Sequence, residues 1–527
     1  MSTPTSADYV VVGSGSSGAV IAARLSETPN VTVAVLEAGP PDKNQFIQVP
    51  AAFSKLFRTE YDWDYSTEPQ PSLAGRKVYW PRAKTLGGCS SMNAMMWVRG
   101  YAADYDEWAR QAGHDWSFQK VLPYFRRIEK VEGGANPGDG TDGALVISRQ
   151  RSPRPLTAAF LRAVQERGYT VERANTPQPG GFTQTMVNQK RGARWSTADA
   201  YLRPAMTRPN LTVVTGAHAT AVTFEGTRAT GVEFQRNGRK ETITANREVI
   251  LSGGAVNTPQ LLMLSGIGDA EQLKQHGIPV RHHIPEVGRN LRDHLVSILA
   301  YRAKSGTLFA AERVAELASY LALRRGMLTS NVAEAYGFIR SRPELELPDL
   351  ELLFGPAPFI REGLVQADSH GVSVATVLLK PESTGEIWLN SADPFDKPKI
   401  DPRYLSDSAG ADRTAMLAGM RACAGIMDVP ELRSQVTDYL QPPAPAGTPL
   451  DDVLDTCLTQ YAHTLYHPVG TCRMGSDEQS VVDPKLRVRG VDGLRVADAS
   501  IMPSIIRGHT HAPSVVIGEK AADLIAG

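Results

Sequence analysis

The chain has 527 residues, 42% of them hydrophobic, enough to bury large cores; at roughly 150 residues per domain it points to about three units, or two large interleaved ones. Its 56 basic residues balance 56 acidic ones, which argues against nucleic acid or an anionic membrane surface as a partner. Four cysteines, Cys89, Cys423, Cys457 and Cys472, show neither CxxC spacing nor the density of a disulfide scaffold, and read as free thiols of a reducing compartment.

In chain order, "MSTPTSADYVVVGSG" runs straight into a strand without a basic start, an apolar signal core or a cleavage site. No later run reaches the ~18 apolar residues of a membrane span, so the expected location is cytoplasmic. "YVVV" at 9–12 is a β-rich run that ends in "GSGSSG"; "AVIAARLSE" then has helical spacing, and "VTVAVLE" at 31–37 is a second strand. Strand, glycine turn, helix, strand is the opening of a dinucleotide-binding unit on a buried parallel sheet. Gly13 permits the tight bend, Gly15 lets backbone approach a pyrophosphate, and Gly18 lets the helix close on the strand. The phosphates would meet the positive end of that helix. Glu37 ends the second strand 19 residues after Gly18, where its carboxylate can accept both hydroxyls of an adenosine ribose and would repel the 2′-phosphate of NADP. FAD and NAD both remain open at this point.

Further on, "REVILSGG" at 247–254 could return to the same sheet, whereas "VSVATVLL" at 372–379 and "GEIWL" at 385–389 read as antiparallel strands of a second domain. Loops are expected at "EGGANPGDGTDG", 132–143, and "QPPAPAGTP", 441–449. The second loop feeds a helix that Thr448 can cap, with Pro449 in its first turn and Val453, Leu454, Leu458 and Tyr461 at helical spacing. In "LYHPVG", Pro468 stops whatever follows, so His467 sits where a side chain is presented rather than packed.

Three further stretches resemble the glucose-methanol-choline (GMC) oxidoreductases, and the resemblance spans nearly the whole chain. They are "RAKTLGGCSSMNAMMWVRG" at 82–100, "GAVNTPQLLMLSGIG" at 254–268, and "HPVGTCRMG" with "LRVADASIMPSIIRGHTHAP" near the C-terminus. The resemblance implies an α/β (α+β) fold. A Rossmann-like FAD domain would be built from 1–152, 194–300 and 462–527, and a substrate domain of antiparallel sheet and helices from 153–193 and 301–461. FAD is thereby the implied cofactor. Ser16, Ser17, Ala38, Trp63, Ala83, Gly88, Asn93, Ala94, Met95, Met96, Tyr466 and His511 would lie against it, Ala219 would meet the adenine, and Asp498 with Ala499 would approach the pyrophosphate and ribityl chain. Met92 stands where some members carry a histidine joined to the flavin; a thioether has no nitrogen for that bond, so non-covalent FAD is expected. The family's usual catalytic base falls on His467 and its partner on His509.

Oxidising an alcohol removes a proton from oxygen and a hydride from carbon, and flavin N5 accepts only the hydride. An imidazole, whose ordinary pKa is about 6.5, can be neutral near pH 7 and take the proton, with His509 hydrogen-bonding the same oxygen. "APSVVIGEKAADLI" reads as a helix with Pro513 in its first turn; its positive end, with His509 and His511, would face the charge that gathers near N1 of a reduced flavin. "HTH" at 509–511 could instead bind zinc with His467, but the following Ala-Pro and the lack of a carboxylate ligand argue against a metal. His282 and His283 would face opposite sides of a strand and read as structural, as does the hydrogen-bonding His294 in "NLRDH"; Cys89 reads as a small buried side chain. Leu353, Leu465 and Tyr466 are mostly apolar pocket clues. They favour an uncharged primary alcohol, aromatic or furanic, over choline or a polyol, with oxygen or a quinone taking the electrons. A flavin-containing lyase resembling the family's hydroxynitrile lyases stays open as the rival.

Overall fold

Ser6–Val12 lies inside a seven-stranded sheet, parallel to Val33–Glu37 on one side and to Arg239–Leu251 on the other. This computed structural model describes residues 4–133 and 137–527, so 134–136 of the loop expected at 132–143 lie outside the described residues. Leu211–Thr215 extends the sheet beyond Val33–Glu37, and Leu494–Val496 pairs with the end of Arg239–Leu251, both in parallel. "REVILSGG" therefore does return to the first sheet. Arg228–Arg236 and His218–Glu225 complete it as an antiparallel extension. Val10, Val11, Ala34, Val35, Val249 and Ile250 are wholly buried, as continuous apolar strands must be when both faces of a sheet are covered.

The helix Gly18–Leu25 follows the glycine turn and packs against the last helix, His511–Ala526. Ser17 Oγ donates to the Ser514 carbonyl at 2.7 Å, and the buried carboxylate of Glu519 accepts from Arg24 and Tyr201 and pairs with Arg127. These contacts hold the two ends of the chain together, so the glycine turn and the segment around residue 511 meet.

The second sheet also has seven strands, all antiparallel: Val436–Gln441, Leu295–Ala303, Gly371–Leu378, Leu350–Gly355, Ala335–Ile339 and Phe182–Gln184 in that order, with His463–Thr464 paired to Leu295–Val296. "VSVATVLL" is one of its inner strands. "GEIWL" is also antiparallel, but Glu386–Trp388 pairs with Lys399–Asp401 in a separate ribbon. After Phe182–Gln184 the chain returns to the second sheet at Leu295, ahead of the expected crossing at 300. His463–Thr464 still belongs to that sheet past 462, because its partner is Leu295–Val296.

Side chains alternate across this sheet. Leu350, Leu352 and Phe354 pack with Met416, Met420 and Cys423 of the helix Ala411–Met427, whereas Leu353 joins Val296, Ile298 and Ala375 on the opposite face. That second face is where the site lies. The helix feeding it is Leu450–Tyr461, with Val453, Leu454 and Leu458 buried as expected. Thr448 does not cap it: its hydroxyl donates to the Pro445 carbonyl, Pro449 occupies the cap position, and Asp451 and Asp452 in the first turn meet the positive helix end. No helix among the described residues is long and apolar enough to cross a membrane.

Candidate active site

A continuous cavity of about 330 Å³ is lined by residues of the glycine turn at one end and by the inner face of the second sheet at the other. At the first end, the Gly13 amide bonds the Leu36 carbonyl at 2.8 Å, and Gly13 has a φ of 96°, so the chain turns sharply off the strand. A Cβ on Gly88 would lie 2.7 Å from Gly15 Cα; the segment carrying Met92 to Met96 therefore crosses directly over the turn. Arg194, buried in that segment's base, donates to Ser90 O and to Asn93 Oδ1 and so fixes the loop.

Glu37 is held from both sides. Its Oε2 accepts from Ser14 N at 3.1 Å and Ser14 Oγ at 2.5 Å, and its Oε1 from Gly39 N at 2.9 Å. Burial raises its pKa, and these hydrogen bonds work against that rise. Asp498 accepts from Gly254 N, Thr258 Oγ1 and Ser500 N, so it orders the backbone at the start of the helix Gly254–Leu264. His511 Nδ1 is 2.9 Å from Ser16 Oγ, and burial brings its pKa down to about 4. A glycine cradle, a helix start and a positioned carboxylate form a donor set that fits a dinucleotide with an unphosphorylated ribose.

At the other end, Asn290–His294 runs beside Leu465–Val469. Leu465 N bonds His294 O, Val469 N bonds Arg292 O, and His467 N bonds the buried carboxylate of Asp293 at 2.9 Å. Tyr466 has a φ of 68°, a left-handed conformation rare outside glycine, and this bend aims the next side chain, His467, into the cavity.

A relay behind His467 fixes its tautomer. The Leu379 carbonyl, 3.1 Å from His294 Nε2, can only accept, so that nitrogen carries the hydrogen. A neutral His294 then offers a lone pair at Nδ1, 2.9 Å from His467 Nδ1, which must donate. The Nε2 of His467 is left bare. Burial, followed by nearby His509, brings His294 to about 3; burial, followed by His509 and His294, holds His467 well below 6.5. Both rings are neutral at pH 7. The His509 ring lies 4.8 Å from that of His467, at 75°, and its Nε2 is 3.0 Å and 3.2 Å from the two oxygens of the wholly buried Glu351. A bare imidazole nitrogen beside a carboxylate-held imidazole can take a proton from a hydroxyl while that oxygen stays hydrogen-bonded.

Family models described as GMC oxidoreductase match residues 7–296 and 381–518, together most of the chain. The chain is a GMC oxidoreductase. It is 62% identical to an uncharacterized GMC-type oxidoreductase of Mycobacterium tuberculosis over 99% of both chains, and 43% identical to an alcohol dehydrogenase [acceptor] of Pseudomonas putida over 98% of this chain and 95% of that one. It is also similar to the crystal structure of pyridoxine 4-oxidase from Mesorbium loti, with 31% identity, a TM-score of 0.88 and 98% of each chain covered. This GMC oxidoreductase is accordingly an FAD enzyme that oxidises alcohols.

The GMC oxidoreductase cavity gathers the residues singled out in its sequence, from Gly13 to His511, with one exception. Gly18 lies beneath the turn, where it governs packing alone. Trp63 stacks on Tyr65 and meets His218 edge-on, beside Ala219 and Lys84, and so stands at the Glu37 end of the cavity. His509 and His511 diverge, one to Glu351 and the other to Ser16. Cys89 is only half-buried and lines the cavity, because the loop over the glycine turn leaves its side uncovered. His294 is a hydrogen-bonder as expected, but its partner is the candidate base itself. Glu351 escaped the sequence reading although a signal existed: it is a lone acid in an apolar strand, two residues from Leu353 and so on the same face.

Proposed function

We propose that His467 is the general base of a primary-alcohol oxidation and that His509, held by Glu351, hydrogen-bonds the alcohol oxygen as negative charge develops on it. The carrying observation is the bare Nε2 of His467, left so by the chain of Leu379, His294 and His467. FAD, when bound, supplies the acceptor for the hydride. In this reading the alcohol proton passes to His467 Nε2 as the C–H bond gives up its hydride and the carbonyl forms. Glu37 accepts ribose hydroxyls, the Gly13–Ser17 backbone and the first helix meet the pyrophosphate, and Ala219 faces the adenine. The start of the helix His511–Ala526, with His509 and His511 beside it, faces the charge that gathers on the reduced ring.

The carboxylates lining the cavity are Glu37 and Asp498, both at the nucleotide end, while Phe53, Phe57, Val332, Leu353 and Phe359 are among the residues that line the remainder. Phenylalanine faces can hold a quaternary ammonium as well as an aromatic ring, but no carboxylate among the described residues lines this end to pair with a cation, which favours an uncharged aromatic or furanic alcohol. Anaerobic addition of a primary aromatic alcohol is expected to bleach the flavin absorbance. A flavin that stays yellow with every alcohol tried, while a cyanohydrin is cleaved, would replace this reading with a lyase.

Non-covalent FAD is part of the same proposal. Met92 is buried against the cavity and carries no nucleophilic nitrogen. Acid precipitation should give a colourless pellet and a yellow supernatant containing FAD. A washed pellet that stays yellow, with one peptide heavier by a flavin, would show that another side chain makes the bond.

A further inference from the structure

The helix Val314–Leu323 is turned inside out. A surface helix ordinarily buries an apolar stripe and shows polar residues to water. Here Val314, Leu317 and Leu321, spaced as one stripe, are 82%, 47% and 65% exposed, and Ala318 between them is exposed too. The polar residues share the other side and turn inward. Glu316 Oε2 accepts from Met327 N at 2.8 Å, and the buried Tyr320 donates its phenol hydrogen to the Gln48 carbonyl at 3.0 Å. These contacts hold the helix in place, so nothing in the fold requires its outer side to be apolar.

The helix sits against the turn Pro50–Leu56: Glu312, just before it, pairs with Lys55 at 2.5 Å, and Gln48, which Tyr320 bonds, precedes that turn. Phe53 and Phe57 of the same segment line the cavity. Exposed Leu364 and Val365 border the turn from another loop, where a Cβ on Gly363 would lie 3.3 Å from Ser54 Cβ. The exposed apolar ground thus adjoins the segment that walls the substrate end. Cations bound the helix: Arg313 stands at one end, Arg324 and Arg325 at the other, all three exposed. Arg313 occupies the positive end, where a cation gains nothing from the helix dipole. The nearby acids are engaged elsewhere, Glu312 by Lys55 and Glu316 by Met327 N.

We propose that this face docks on an anionic lipid bilayer, with Val314, Leu317 and Leu321 dipping below the headgroups and Arg313, Arg324 and Arg325 meeting lipid phosphates. An apolar helix side flanked by cations matches both layers of such a surface. A second copy of the chain is a poorer occupant. Ten residues of helix are about 15 Å long and about 10 Å wide, so the outer side covers on the order of 200 Å², against the ~800 Å² per partner of a stable dimer. The charge balance of the whole chain, which argues against an anionic surface on average, does not describe this one face.

Flotation of the FAD-loaded enzyme with phosphatidylcholine vesicles, with and without phosphatidylglycerol, tests this. The enzyme is expected to float with the anionic vesicles about tenfold more than with the neutral ones, and less as salt rises. Leu317→Glu combined with Leu321→Glu should cut flotation by about tenfold or more. Both side chains face solvent, so flavin content and melting temperature should stay as in wild type; if the pair loses its flavin, Leu317→Ser with Leu321→Ser makes the same comparison. Arg313→Gln with Arg325→Gln should remove the preference for anionic vesicles. Wild-type enzyme that floats with neither vesicle, or a leucine variant that floats as well as wild type, would overturn the docking face. So would sedimentation showing a dimer that the leucine variants dissociate, since the occupant would then be a second copy.

Discussion

Replacing His467 by alanine is expected to slow flavin reduction by at least ~100-fold, about 2.7 kcal/mol of barrier, while the protein stays folded and yellow. The side chain removed is the one whose bare Nε2 faces the cavity; its neighbour His294 spends its own lone pair on His467, and His509 is held to the Glu351 carboxylate through Nε2. The pH dependence sharpens the test. His467 must be neutral to accept a proton, and burial with two adjacent imidazoles holds its pKa well below 6.5. In wild type, kcat/KM should therefore remain flat as pH falls through 6.5 and decline only beneath it, and this acid limb should vanish in His467→Ala. Stopped-flow reduction across pH checks both. Near-wild-type reduction in the variant, or an unchanged acid limb, would assign the proton to another group.

Gly18→Ala is expected to abolish FAD loading. The added Cβ would lie 2.0 Å from the Gly13 carbonyl oxygen and 3.1 Å from Ser252 Cβ, so the backbone itself must move. Forced overpacking of this kind costs about 1–3 kcal/mol or more, and here the strain falls on the turn that must cradle a pyrophosphate. The variant should purify colourless or fail to fold. Gly180→Ala, where a Cβ meets nothing within 4 Å, should remain yellow and serves as the control. A Gly18→Ala enzyme with full flavin content, read from its absorbance ratio, would show that helix and strand can separate without harm.

How much was legible in advance depended on distance along the chain. The glycine turn, the apolar strands beside it and Glu37 lie within one stretch of 29 residues, from Tyr9 to Glu37, and backbone sterics give each residue its part. "VSVATVLL" was readable as a strand for the same local reason, whereas "GEIWL" was readable as antiparallel but not as belonging to a separate ribbon. Thr448 misled because a hydroxyl can cap a helix or bond back to Pro445, and only the loop's path decides which.

The sequence by itself made the nucleotide end legible, since glycines, helix start and carboxylate act through covalent geometry over a few residues, while the family and its α/β (α+β) fold were legible through the resemblance of three longer stretches. Tertiary structure alone decided what His467 can do. Its partner His294 is 173 residues away, and the contact between His509 and Glu351 spans 158. An imidazole has two interchangeable nitrogens, and which one holds the hydrogen depends on the atom that folding places opposite it. Here that atom is the Leu379 carbonyl, at the end of a strand in the second sheet.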